Sequence, residues 1–331
     1  MVSKVKLTRL LVSPRIVFFG TPEFALTCLE YLVSKGHNVV AVVTQPDRPR
    51  GRGQKIEESP VKEISRTHGL KLLQPERLSD PEFLSTLKAL QPELGVIAAY
   101  GKILPRSLLS FPKLGMINVH TSLLPKYRGA APIQRAIIAG ETETGVTIMR
   151  VAPELDAGPI LATRSRKIDV DETSTQVEHD LACLGGNLLL EILPALIAGT
   201  LREISQDERL ATYAPMITKS DGLIDWNKTS SQIHNLVRGL YPWPHAYTFI
   251  GNTRLRLWRT NVIPPSLENR TGQPGTVLKV TNDQIQIATG GDGEIAVLKI
   301  QAEGRRAMDT RDFLSGHRIQ PGMIFSTTSA Q

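Results

Sequence analysis

Short apolar, β-rich runs alternate with helical stretches through the first half of the chain, and this alternation restricts the fold more than any other feature. RIVFFG (15–20), NVVAVVT (38–44), LKLLQ (70–74), LGVIAAYG (94–101) and GMINVH (115–120) read as five buried strands. The segment TPEFALTCLEYLVSKG after the first reads as a helix, with Thr21 as N-cap, Pro22 at the first position and Gly36 as terminator. Strands that are apolar on both faces and separated by helices belong to a parallel sheet covered on both sides. TGVTIMRV and ILATRSRKI add two strands around APELDAGP, and a long helix from about Ser174 to Ala198 closes a first domain. Ligands of such sheets sit beyond the carboxyl ends of the strands, where Asn118 and His120 end the fifth.

A chain of 331 residues is long for one core and comfortable for two domains. After Gly199 a polar connector begins. Beyond it come a helix, SQIHNLVRGL, and β-rich pieces (AYTFIGNTRLRLWRT, PGTVLKV, DQIQIATG, EIAVLKIQAEG) separated by Gly and Asn turns. Strands at that spacing predict a small barrel of the oligonucleotide-binding (OB) type. The expected plan is therefore an N-terminal tail (1–14), a Rossmann-like α/β domain with a parallel or mixed sheet (15–199), a linker (200–217) and an OB-like β-barrel domain (218–331).

With 41% hydrophobic residues and no apolar run judged near the roughly 20 residues of a membrane helix, the chain is expected to work away from membranes. Cys28 and Cys183 stand in neither metal nor redox spacing, which suits a reducing compartment. Lys4, Lys6 and Arg9 without an acid raise the question of a transit peptide, but the leader is short for one. The bacterial cytoplasm is the expected location, an organelle the alternative. A monomer is the default, since no long apolar interface is evident. The net charge of +7 suits a polyanionic partner, though it is spread thinly.

The turn after the first strand, GTPEFA, lacks G-x-G-x-x-G, and Thr44 and Gln45 stand where a ribose-binding acid would follow the second. Both absences argue against a nicotinamide dinucleotide. Asn118 and His120, two apart on a strand, share a face. An amide donor beside an imidazole suits an oxyanion forming at an attacked carbonyl, with the imidazole also moving a proton. A carboxylate is still needed, and Asp156 in the LDAGP turn qualifies by its strand-end position. The alternative is a core histidine beside an ordinary turn, and the pattern alone does not decide. The loop SLLPKYRGAAP, stiffened by Pro125 and Pro132, is either a surface turn or a holder for a flat ligand, with Ser122 as a polar contact and Leu123 and Leu124 as apolar walls. Read alone, Arg48, Arg50, Arg52 and Lys55 in QPDRPRGRGQK form a solvated loop. Arg254, Arg256 and Arg259 around Trp258 are either a basic stripe or the wet face of an edge strand, and Trp243 in PWPHA is expected to pack between helix and barrel.

NVHTSLLPKYRGAAPIQRAI together with LDAGP resembles the signature of the folate-dependent formyltransferases. FFGTPEFA, VVTQPDRPRGRGQK, SPVKE, AAYGKILP, ETGVTIM, TYAPMITKSDGLIDW and PWPHAYT extend the resemblance, to the tRNA-formylating members, along nearly the whole chain after Arg15. The resemblance implies that Asn118, His120 and Asp156 are catalytic and that Ser122, Leu123, Leu124 and Pro125 bind tetrahydrofolate. It also implies that the loop carrying Arg48, Arg50, Arg52 and Lys55 reaches the acceptor stem of initiator tRNA. The implied reaction moves the formyl group of 10-formyltetrahydrofolate, without a metal, to the α-amine of methionyl initiator tRNA for translation initiation. The rivals are an amino-sugar nucleotide as acceptor and a non-catalytic tRNA-binding protein. The basic loop and the second domain argue against a small acceptor.

Overall fold

The computed structural model describes residues 13–50, 55–264, 272–291 and 293–328. Arg52 and most of the expected tail lie outside the described residues, as do the side chains of Arg50 and Lys55. The chain runs β1 (Ile16–Gly20), α1 (Glu23–Ser34), β2 (Val39–Val43), β3 (Arg48–Arg50), β4 (Lys55–Glu57), α2 (Pro60–Thr67), β5 (Leu72–Leu73), α3 (Pro81–Ala89), β6 (Leu94–Ala98), α4 (Arg106–Leu109) and β7 (Met116–His120). It continues through β8 (Arg128–Gly129), α5 (Pro132–Ala139), β9 (Glu143–Arg150), β10 (Ile160–Lys167), α6 (Ser174–Ile197), β11 (Tyr213–Ala214) and α7 (Ser230–Gly239). Last come β12 (Ala246–Ile250), β13 (Thr253–Ile263), β14 (Val277–Val280), β15 (Ile285–Ala288), β16 (Glu294–Ala302), β17 (Met308–Asp309), α8 (Thr310–Gly316) and β18 (Phe325–Ser326). Two compact units result. One holds the described residues up to His120 with Val146–Arg164 and Leu181–Gln206, and the other holds Thr121–Gly145, Ser165–Asp180 and the chain from Asp207.

The first unit is built on a seven-stranded sheet in the order β10-β9-β7-β6-β1-β2-β5. The five expected strands are there and parallel. The sheet as a whole is mixed, because β9 runs antiparallel to β7. Exposure alternates along β10, with Thr163, Ser165 and Lys167 outward, as in a sheet margin with one wet face. On one face Val17, Phe19, Ala41, Val43, Leu87 and Tyr100 form a core. Helix α1 begins at Glu23, one residue later than a Thr21 cap requires, and Pro22 occupies the cap position. The Thr21 hydroxyl donates instead to the Tyr100 carbonyl (3.4 Å) at the end of β6.

The long helix also corrects the reading of the apolar runs: by length and composition α6 could cross a membrane. In this fold its apolar side is spent on the sheet, with Leu181, Leu189 and Leu193 fully buried. Gly185 lies so close to the sheet that a Cβ there would come within 2.8 Å of Val119. Closeness of that kind pins β7 from behind.

In the second unit the antiparallel sheet is ordered β14-β15-β16-β13-β12-β18, with β17 on β16. It curls until its ends meet: Thr276 bridges Ile324, and the Val277 and Phe325 amides donate to Met323 and Gly275 carbonyls, each at 2.8 Å. The barrel core comprises Trp226, Leu255, Leu257, Ile285, Ile287, Ile295, Val297 and Phe325. Strand β13 is flanked by β12 and β16, so Arg254, Arg256 and Arg259 lie on a central strand and not on an edge. Arg254 stacks on Tyr247, its guanidinium carbon 3.7 Å from the ring centroid. Trp243 stands half-exposed, contrary to expectation. Packing at that corner falls to His245, which stacks on Trp258 at 4.0 Å, with Tyr241 edge-on to both.

Candidate active site

Strand β7 carries the first two candidate residues at its carboxyl end. Asn118 is paired with Ile97 of β6 and Met149 of β9, and His120 with Thr147 of β9. Since Val119 faces Gly185 of α6, the period of two turns Asn118 and His120 together to the opposite face. His120 is buried and Asn118 half-buried. Burial alone would fit a core histidine equally well. The neighbour sets it apart from a purely apolar core position: Asp156 Oδ2 lies 3.6 Å from His120 Nδ1, ion-pairing distance for a protonated ring and just beyond a hydrogen bond for a neutral one.

Asp156 adopts φ +49°, a left-handed conformation that short polar residues tolerate and that collects at functional sites. Two features hold it there. Gly158 abuts β9 so tightly that a Cβ would lie 1.9 Å from the Arg150 carbonyl oxygen. The Gln206 side-chain amide donates to the carbonyls of Asp156 (2.7 Å) and Gly158 (2.8 Å). Gln206 was missed by sequence reasoning, which placed it in the connector; no spacing links position 206 to position 156. Nearby, Arg150 Nε donates to Glu203 (2.8 Å), tying the same connector to β9, and its Nη1 donates to the Leu114 carbonyl ahead of β7.

The loop that begins one residue after His120 belongs to the second unit. The Ser122 hydroxyl donates to the Lys126 carbonyl at 2.6 Å, so it shapes the loop, and Leu124 is buried. Leu123 and Pro125 keep part of their surface accessible. Two further residues were not singled out from the sequence. Arg128, 2% exposed, makes a paired bond to Glu208 (2.8 and 2.9 Å), and the Tyr127 hydroxyl donates to Glu141 (2.8 Å). Burial and the Glu141 carboxylate push the Tyr127 phenol well above its usual range.

The basic stretch of the first unit is a two-stranded hairpin, with Arg48 paired to Glu57 and Arg50 to Lys55. Arg48 is exposed. No group of three or more His, Cys, Asp or Glu among the described residues is placed to hold a metal ion.

An amide donor, an imidazole and a carboxylate at the carboxyl end of a covered sheet are groups suited to attack on a carbonyl carbon, able to supply charge stabilisation and proton transfer. The comparisons with known proteins agree with that class. The formyl transferase profile matches residues 14–193, and that of the formyl transferase C-terminal domain matches residues 216–318. The chain belongs to the formyl transferase family.

Within the family it falls with the methionyl-tRNA formyltransferases. It is 49% identical over 311 residues to that of Caldanaerobacter subterraneus subsp. tengcongensis, covering 94% of this chain and 99% of that one. Identity to that of Geobacter metallireducens is 46% over 308 residues, 93% of this chain and 97% of the relative. Among solved structures, WlaRD, a sugar 3N-formyl transferase crystallised in the presence of dTDP and 5-N-formyl-THF, superposes with a TM-score of 0.63 at 17% identity, over 89% of this chain and 99% of its own. The N-formyltransferase of Helicobacter canadensis, in complex with folinic acid and dTDP-3-aminofucose, gives 0.63 at 18% identity, over 86% and 98%. At such identities these two likenesses speak for the fold alone.

Proposed function

We propose that the chain transfers the formyl group of 10-formyltetrahydrofolate to the α-amine of methionyl initiator tRNA, giving the N-formylmethionyl-tRNA used in translation initiation. The observation that carries the reading is the Asn118, His120 and Asp156 constellation in a chain similar over nearly its whole length to methionyl-tRNA formyltransferases. An α-amino group titrates near pH 8, so at neutral pH only modest help is needed to free its lone pair. The harder task is the tetrahedral intermediate. Asn118 donates to the oxyanion as the amine adds to the formyl carbon. His120 donates to the same oxygen or passes a proton to the departing folate nitrogen, and Asp156 takes the amine proton directly or through water.

Tetrahydrofolate is held by the loop at Ser122, Leu123, Leu124 and Pro125. Leu123 and Pro125 retain the accessible apolar surface a flat ring requires, while Ser122 and Leu124 fix the loop's shape. Arg48, Arg50, Arg52 and Lys55 meet the phosphates of the tRNA acceptor stem, and the barrel domain adds salt-dependent contacts. Residues 15–199 serve as the catalytic domain and 218–331 as the tRNA-binding one, in a monomer in the bacterial cytoplasm.

The test is formyl transfer from 10-formyltetrahydrofolate to methionylated initiator tRNA, run beside methionylated elongator tRNA, free methionine and an amino-sugar nucleotide. Product confined to initiator tRNA supports the reading. Product on the sugar nucleotide alone overturns the acceptor, and no product on any acceptor overturns the activity.

A further inference from the structure

The hairpin of β3 and β4 has three residues in each strand. A two-stranded ribbon of that length is marginal in water by itself, so its direction must be fixed where it leaves the unit. At that point both feet are tied to one ammonium group. Lys62 Nζ, on α2, donates to Asp47 Oδ2 ahead of β3 and lies 3.2 Å from Glu58 Oε1 beyond β4. The Thr44 and Ser59 hydroxyls join the same two chain segments one step further in, at 3.0 Å. From a third side Gln74 Nε2 donates to Asp47 Oδ1 and to the Gln45 carbonyl, each at 3.0 Å. The Gln45 side chain in turn donates to the Tyr100 carbonyl at 2.7 Å, reaching the end of β6.

The arrangement also resolves an oddity of the sequence. Asp47 adjoins Arg48 in a stretch otherwise rich in cations, where a free carboxylate would repel the phosphates the arginines are there to meet. The hydrogen bond from Lys62, reinforced by that from Gln74, holds the Asp47 carboxyl below the usual carboxylate range, so it stays ionised and engaged. Its charge is directed into the clamp.

We infer that Asp47, Lys62 and Gln74 are positioning residues that clamp the feet of the basic hairpin and so set the direction in which its arginines meet the acceptor RNA. The inference rests on the proposed function for the identity of the acceptor, but not for the clamp itself. Pre-organisation of this kind acts on the affinity for RNA and leaves the chemistry at Asn118 and His120 untouched.

The test uses Asp47→Asn, Asp47→Glu, Lys62→Met, Arg48→Ala and the Asp47→Asn/Arg48→Ala double variant of the full chain. With initiator tRNA, Asp47→Asn and Lys62→Met should each raise KM for tRNA about tenfold, with kcat, KM for the folate and Tm close to wild type. Asp47→Glu should recover part of the loss. Arg48→Ala should cost less in the Asp47→Asn background than in the wild type, since the clamp acts through the arginine. Unchanged KM for tRNA in both single variants, or fully additive losses in the double variant, would overturn the inference. Hydrogen exchange of the β3 and β4 amides gives a readout independent of activity. Asp47→Asn should speed it about tenfold there and leave the strands of the seven-stranded sheet unchanged, and unchanged exchange of the ribbon would contradict the clamp. Absence of formyl transfer to tRNA by the wild type would sink the proposed function, while exchange would still decide the clamp.

Discussion

Asn118 and His120 stand on a strand flanked on both sides by others, backed by a helix that approaches within contact of Val119, whereas Arg48 stands on a small ribbon outside that sheet and held at its feet. Under the proposed function the two regions answer different physical demands. Stabilising an oxyanion needs donors fixed to a fraction of an ångström, which a doubly paired core strand supplies. Meeting an RNA backbone needs reach and positive charge more than fixed atoms, and a clamped ribbon supplies these without a large buried core. Damage at the strand end should therefore appear in kcat and damage at the ribbon in KM for tRNA.

The largest expected effects lie at the strand end. His120→Ala should lower kcat by roughly 10²–10⁴-fold and Asn118→Ala by roughly 10²–10³-fold, with Tm little changed. Thermal denaturation beside steady-state kinetics checks both, and unfolding with normal specific activity in the folded fraction would return His120 to the core. Next comes Gln206→Ala, which removes both bonds to the LDAGP turn. A kcat about tenfold lower, with unchanged KM for either substrate, is expected if the turn's only task is to aim Asp156; a change confined to Tm would make Gln206 purely structural.

At the ribbon, Arg48→Ala should weaken tRNA binding, leave folate binding intact and flatten the salt dependence of affinity by about one unit of log–log slope. A titration across salt concentrations reads this, and equal loss of tRNA and folate binding would break the division of labour.

The smallest effect concerns stability, within the second unit. Burial raises the pKa of Asp221, but bonds from Arg135 (2.8 Å) and from the Thr218 amide and hydroxyl (2.7 and 2.6 Å) outweigh it and hold the group at about 2. A carboxyl depressed below its unfolded value stabilises above about pH 4 and loses that contribution as pH falls toward 2. Asp221→Asn should therefore lower stability by about 2 kcal/mol at pH 7. Its gap from the wild type in chemical denaturation should shrink steadily below pH 4.

The sheet was legible because its strands are apolar on both faces, and Asn118 and His120 because period two places them together. The antiparallel β9 was not, since direction leaves no mark in a run such as VTIM. The barrel's short strands were legible from their turns, but not the central place of β13, which depends on pairings between distant segments. Gln206 and the Asp47–Lys62–Gln74 clamp are contacts between residues with no shared period or motif, and only folding brings them together. Trp243 misled because a large aromatic between prolines looks like core, while the buried ring at that corner belongs to His245.

The most direct measurement is single-turnover formyl transfer to methionyl initiator tRNA, with enzyme in excess and saturating, for the wild type, His120→Ala and Arg48→Ala. The expected rate is at least a hundredfold lower for His120→Ala with wild-type tRNA affinity, and the limiting rate for Arg48→Ala is near normal but reached only at higher enzyme concentration. A near-wild-type limiting rate for His120→Ala, or a limiting rate lost equally in both variants, would contradict the separation of chemistry from recognition.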